Sequence, residues 1–141
     1  VQELGPQKAN AINKAAVRLM SAIEMKRILK LMDKPVNATV DDHTSLEKIL
    51  DTAFKLVKTD FMAFNFNFPE KNLLRGQFDQ CFAYNGVKRY GMVADYDCGI
   101  VERVKSWLET LNVGYQMTPE FSGCLMHHTG KCEIDFRFDL K

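Results

Sequence analysis

The chain has almost no net charge: 19 Lys and Arg against 18 Asp and Glu leave a formal +1 over 141 residues. Without a basic surplus there is no electrostatic footprint for a nucleic-acid backbone or an acidic membrane surface, so neither is expected as a partner. Long hydrophobic runs are also missing. No stretch approaches the roughly 18–20 apolar residues of a membrane-crossing helix, and no signal-peptide pattern appears. Cysteine is scarce at four residues, too few for a small disulfide scaffold, so a reducing, cytoplasmic compartment is expected. No internal repeat or low-complexity segment is present. The chain opens on Val1 rather than Met, which implies a removed tag or an upstream segment.

What the chain does have is material for a core. Hydrophobic residues make up 46%, with ten Phe, which excludes a disordered chain. The length fits one domain over residues 1–141. From Gln7 to Met32 there is hardly a helix breaker. Ile12, Ala16, Leu19, Ile23 and Arg27 follow the 3–4 spacing, and Val17, Met20, Ile28, Leu31 and Met32 widen the stripe. This predicts a helix of about seven turns, begun by Pro6 and ended by Asp33-Lys-Pro35. So long a stripe reads either as core or as a face that also packs across a homodimer. Thr44-Ser-Leu-Glu47 is a capping box for a second helix, with Leu46, Ile49, Leu50, Ala53, Phe54 and Val57 on its buried side. His43 falls just outside it, in the linker.

Met62 to Phe68 alternates as a strand stopped by Pro69. Phe64, Phe66 and Phe68 share a face that is either core or the wall of an apolar ligand cavity. Leu73 to Phe82 is its partner strand and delivers Cys81. Ala83 to Tyr90 is a short helical piece ended by Gly91. It carries Tyr84, Lys88 and Arg89, which form either a solvated face or a rim that binds a carboxylate. A third long helix runs from Gly99 to Leu111, with Asp97 as N-cap and Cys98 in its first turn. There the helix dipole would lower the thiol's pKa, against the adjacent carboxylate. Val113 to Thr118 reads as a short strand. Phe121–Met126 and Cys132–Leu140 read as a hairpin joined by His127–Lys131. In its second strand Ile134, Phe136 and Phe138 alternate with Glu133, Asp135, Arg137 and Asp139.

The four cysteines lie 16, 25 and 7 residues apart, with no Cys-x-x-Cys knuckle, so the usual zinc-ribbon and iron–sulfur spacings are absent. Three readings stay open. Cys81, Cys98, Cys124 and Cys132 could assemble a zinc or iron site from separate elements, with His127 or His128 nearby. Cys98 or Cys81 could be a nucleophile with His127 or His128 as base. Or the thiols are buried and inert.

The segments Gln80-Cys-Phe-Ala-Tyr-Asn-Gly-Val-Lys-Arg-Tyr-Gly91, Tyr96-Asp-Cys-Gly-Ile-Val-Glu-Arg-Val-Lys-Ser-Trp107, Cys124-Leu-Met and Gly130-Lys-Cys-Glu-Ile-Asp-Phe136 resemble the L-2-amino-thiazoline-4-carboxylic acid hydrolase-like proteins. The ending is also similar to the 4-vinyl-reductase-type ligand-binding domain, with Ile134 in the usual aromatic place. The resemblance covers about residues 40–140. It implies an α+β fold, an antiparallel sheet packed against helices, with dimerisation through the long N-terminal helix. It also implies a hydrolase opening a C–N or C–S bond of a small carboxylate at Cys81, Cys98, Cys124 and Cys132, with Lys88 or Arg89 on the carboxylate. The alternative is a non-catalytic module holding a small molecule or a metal. An apolar cavity would then be lined by Phe64, Phe66, Phe136 and Phe138.

Overall fold

The computed structural model describes residues 3–61 and 63–141; Val1, where the chain begins, and Met62, expected to open the first strand, lie outside them. The fold is α+β, with five α-helices and a four-stranded antiparallel sheet among the described residues. In chain order the elements are α1 (Pro6–Leu31), α2 (His43–Val57), β1 (Ala63–Glu70), β2 (Leu73–Gln80), α3 (Phe82–Arg89), a 3-10 turn at Val93–Asp95, α4 (Gly99–Thr110), β3 (Gln116–Thr118), α5 (Leu125–Thr129) and β4 (Cys132–Arg137). Among the described residues no helix is long and apolar enough to cross a membrane.

The strands run in the order β1-β2-β4-β3. Phe66 faces Gly76 across the first pair, and Gly76 faces Ile134 across the second. Period-2 alternation puts Phe64, Phe78, Ile134 and Phe136 on the buried face. The opposite face is polar, with Arg75 donating to both carboxylate oxygens of Asp135 at 2.8 and 2.7 Å. That fork holds the Asp135 carboxyl below its ordinary range. Two helices close the buried face. α2 brings Leu46, Ile49, Leu50, Ala53 and Phe54, and α4 brings Val101, Val104, Trp107 and Leu108.

α1 is attached differently. It buries only Ser21, Met25, Ile28 and Leu29, and its docking on α4 is largely ionic. Lys14 reaches Asp97 at 2.7 Å, Arg18 reaches Glu102 at 2.9 Å and also Glu109, and Glu24 accepts from Arg103. Glu24 further accepts from the Trp107 indole N–H at 3.0 Å. Most of the apolar stripe expected to be core therefore stays outside: Ile12, Leu19, Met20, Ile23 and Leu31 are all exposed.

Four local expectations need correction. The helix cap of α2 is Asp42, whose carboxylate accepts from the Ser45 amide at 2.8 Å. A charged acceptor takes the site ahead of the Thr44 hydroxyl, and His43 becomes the first residue of the helix. β1 passes through Pro69 to Glu70 because it is an edge strand, where the missing N–H points to no neighbour. α4 is capped by Cys98 itself. Asp97 turns away to bind Lys14 and the Gly123 amide. The C-terminal hairpin does not form: residues 125–129 are a short helix, and β4 pairs with β2 and β3. β4 is one of the two inner strands of the sheet rather than half of a hairpin.

Candidate ligand cleft

The sheet's aromatic face does not fill against the helices, and an open cleft of about 440 Å³ remains between them. Its floor is Phe64, Phe66 and Phe78 from β1 and β2, and its far wall is Phe54, Val104 and Trp107. The rings form one packed array. Phe54 stacks on Phe66 with centroids 4.1 Å apart and planes 9° from parallel. Phe54 meets Trp107 edge-on at 5.5 Å, and Phe66 meets Phe78 edge-on at 5.7 Å. Edge-to-face and offset geometries hold such rings in place, so the wall is preformed.

Gly76 makes the floor possible. A Cβ built there would lie 2.3 Å from Cε1 of Phe66 and 2.7 Å from its Cζ. The Phe66 ring lies across a strand position that only glycine leaves open. The near walls are thinner. α3 contributes Phe82, Ala83 and Val87, and none of its residues is buried. α1 contributes Ala9, Asn13 and Val17, and α4 adds Gly99 and Ile100. Few polar groups reach the cleft. Arg103 is spoken for by Glu24 and lies over the Trp107 ring at 5.5 Å, while Asn10 holds the Asp95 carbonyl and the Asp97 amide.

Behind Phe78, Tyr96 and Ile100, which they share with the cleft, the four thiols converge on a second, far smaller space of about 10 Å³. Cys81 and Cys98 are held there as helix caps of α3 and α4, Cys124 caps α5, and Cys132 begins β4. The convergence expected from sequence is therefore present, though through three helix starts rather than a hairpin face. All four are free thiols. Burial pushes the Cys81 and Cys98 thiols up, outweighing the amides that donate to their sulfurs. It pushes Cys132 up to about 12, with the other thiols adding to the effect. The lowered pKa expected at Cys98 is thus reversed, because burial outweighs the amide donors at the start of α4. Tyr96 itself is raised to about 12, again chiefly by burial.

These positions decide the fate of the residues picked from sequence. Phe64 and Phe66 line the cleft, but Phe136 and Phe138 do not. Phe136 packs on Tyr115 and Phe138 on Phe68, farther along the sheet. Tyr84 carries Lys88 over its ring at 5.4 Å, and Lys88 and Arg89 are exposed on α3, outside the cleft lining. His127 and His128 are exposed at the end of α5, and neither lines the thiol space. Among the described residues no group of three or more His, Cys, Asp or Glu is arranged to hold a metal ion. The expectation of a zinc or iron site at Cys81, Cys98, Cys124 and Cys132 is corrected accordingly. Sequence reading missed Phe54, Phe78, Val104 and Trp107 as cleft-facing residues. Periodic spacing marked Phe54, Val104 and Trp107 as buried and gave no reading of Phe78, and no local pattern distinguishes a side chain that meets a cleft from one that meets another side chain.

No protein-family model matches the chain, and no curated protein does either. A solved structure shares the fold: trafficking protein particle complex subunit 3 from Naegleria fowleri, covalently bound to palmitic acid, at 15% identity and a TM-score of 0.52. The likeness covers 95% of this chain and 82% of that one. It overturns the hydrolase expectation, because the fold found is that of a trafficking-complex subunit and not of a thiazoline hydrolase. Of the residues expected from sequence to be catalytic, Cys81 is buried and Cys98 half-buried, burial pushes both thiols up, and neither His127 nor His128 lines their space.

Proposed function

We propose that this protein is a non-catalytic module of the cytoplasm that binds an apolar small molecule, a single hydrocarbon chain, in the cleft over Phe64, Phe66 and Phe78. The observation that carries the reading is a preformed aromatic cleft of about 440 Å³ with few free polar groups. That volume falls in the range of roughly 300–1,000 Å³ typical of small-molecule sites. Its shape suits a ligand recognised by length and apolarity rather than by a charged head. The palmitic acid named for the solved structure of similar fold supports the same class. Entry past α3 fits its loose attachment, since no residue of that helix is buried. The free thiols are consistent with a reducing compartment.

The test is displacement of a fluorescent fatty acid by saturated acids from lauric to stearic. Each methylene taken into the cleft contributes about 0.8 kcal/mol, so affinity should climb about fourfold per carbon until the cleft is full. Native mass spectrometry should find one acid per chain. Affinity independent of chain length, or no binding up to the solubility limit, would reject the reading.

A second reading concerns partners. The exposed stripe Ile12, Leu19, Met20, Ile23 and Leu31 supports a protein partner on α1, so that the module works as a subunit.

A further inference from the structure

We infer that Phe61 and Phe82 are the gate of the cleft, the pair of rings a ligand passes on entering and leaving; this deepens the ligand reading above and rests on it. Phe61 stands in the turn between α2 and β1, and Phe82 opens α3. These two segments flank the end of the β1–β2 ladder, where Ala63 pairs with Gln80. Beyond that rung both chains leave the sheet, and the two rings meet across the gap. They stand edge-on at 89° with centroids 5.5 Å apart. Phe82 lines the cleft and Phe61 does not, so Phe82 is the inner ring of the pair and Phe61 the outer.

The way these rings are held sets them apart from the floor. Phe64 and Phe66 each touch Phe54, Phe78 and one another. Among the described residues Phe61 and Phe82 have no ring contact except each other, and they keep 63% and 44% of their surface in water. Their supports are equally loose. α3 buries none of its residues and packs chiefly on the 3-10 turn at Val93–Asp95. Just past its end Gly91 takes up a left-handed conformation, φ 68°, which leaves the backbone free to pivot there. The lip therefore opens at the cost of one ring contact, whereas the floor moves only by breaking several.

A rival way out leads between α1 and α2 to a depression walled by Met20, Ile23 and Leu56. It is barred by Arg103, which lines both spaces and is forked onto Glu24. Moving that ion pair would strand a guanidinium over the Trp107 ring. The Phe61–Phe82 lip asks no polar group to move, and it is apolar throughout, as passage of a hydrocarbon chain requires. An edge-to-face contact of ordinary strength makes the open state about 2–12 times rarer. Because the contact is made with the cleft empty or filled, it slows entry and exit alike and leaves the affinity unchanged.

The experiment uses the full chain in stopped-flow fluorescence. Uptake is followed by mixing protein with a fluorescent polyene fatty acid, and release by chasing the loaded protein with excess palmitic acid. Phe61→Ala should speed both by about 2–12-fold and leave the dissociation constant within about twofold. Phe61→Tyr, which can keep the edge-on contact, should return wild-type rates. Leu56→Ala, at an exposed position on the rival route, should change neither rate. Unchanged rates in Phe61→Ala, a loss of affinity without faster uptake, or equal acceleration by Leu56→Ala would each overturn the inference. The gate is also read without a fatty acid. Trp107 is 1% exposed and borders the cleft, so acrylamide has to pass the lip to quench it. Phe61→Ala should raise the quenching constant by about twofold or more. Where the fatty acid binds, the rates decide. Where it does not, the ligand reading falls and quenching decides the gate by itself: a constant unchanged in Phe61→Ala overturns it.

Discussion

Replacing Gly76 by alanine is the sharpest perturbation of the cleft, because it adds one carbon under a ring that has no room to yield. The new Cβ would sit 2.3 Å from Phe66, whereas ordinary carbon contacts begin near ~3.5 Å, so the ring must move by about 1 Å. Phe66 is stacked on Phe54 and set edge-on to Phe64 and Phe78. Its free direction is into the cleft. Overpacking of this kind costs about 1–3 kcal/mol, and disturbing the stack adds about 0.5–1.5. Against this, alanine regains about 0.5–1 kcal/mol of backbone entropy in a strand. The net loss is about 0.5–4 kcal/mol, read as a lower urea midpoint. Affinity for the fluorescent fatty acid should fall with it, since the displaced ring occupies ligand volume. Adding Phe66→Leu should recover part of both losses, and a double-mutant cycle between positions 66 and 76 should show coupling of about 1 kcal/mol or more. If Gly76→Ala keeps the wild-type midpoint and affinity, the ring does not lie over the strand as described.

Three further outcomes are expected. Trp107 is the chain's one tryptophan and borders the cleft; its emission should change on fatty-acid addition and saturate at the concentration that saturates displacement, and a flat spectrum at saturation would count against the site. Asp97 ties α1 to the Gly123 turn through Lys14 and the Gly123 amide, with the Lys14 contact as the main cause of its depressed pKa. Its contribution is present above the ordinary value near 4 and is lost as pH falls through the lower folded value. Asp97→Asn should cost about 1 kcal/mol at neutral pH, after allowance for partial exposure, and should flatten the acid limb of stability seen by urea unfolding. Cys132 has a folded pKa of about 12 against an ordinary 9.0. A raised folded value favours the protonated, folded form, so its contribution is intact below about 9 and disappears as pH rises through about 12. Cys132→Ser should soften that alkaline loss, and folded protein at pH 8 should label with iodoacetamide far more slowly than urea-unfolded protein. Equal labelling rates would contradict the burial of the thiols.

Much of the local order is legible in the sequence. The bounds of α1, α3 and α4, the alternation of Phe64 to Phe68 and the polar–apolar alternation of β4 follow from side-chain spacing, because each depends on neighbours a few residues away. The α+β class follows from the same pattern. Asp42 as cap and Pro69 within a strand were missed for a nearby reason: what competes for an amide, and whether a strand has an outer neighbour, depends on groups that spacing does not report.

The site was legible only as an inventory. Composition and periodicity determined that Phe64 and Phe66 share a face, that four cysteines sit at element ends, and that α1 carries more apolar surface than a single-sided helix needs. Tertiary structure alone decided what those features mean. Long-range packing placed β4 between β2 and β3 and turned residues 125–129 into a helix, which gathered the four thiols around one small space beside Tyr96. The missing Cβ of Gly76 let Phe66 lie flat and kept a cleft open beside Trp107. Ionic docking of α1 on α4, through Lys14, Arg18 and Glu24, left the apolar stripe facing outward. Each outcome rests on contacts between residues tens of positions apart, where burial and desolvation are settled by the whole fold rather than by any one stretch of chain.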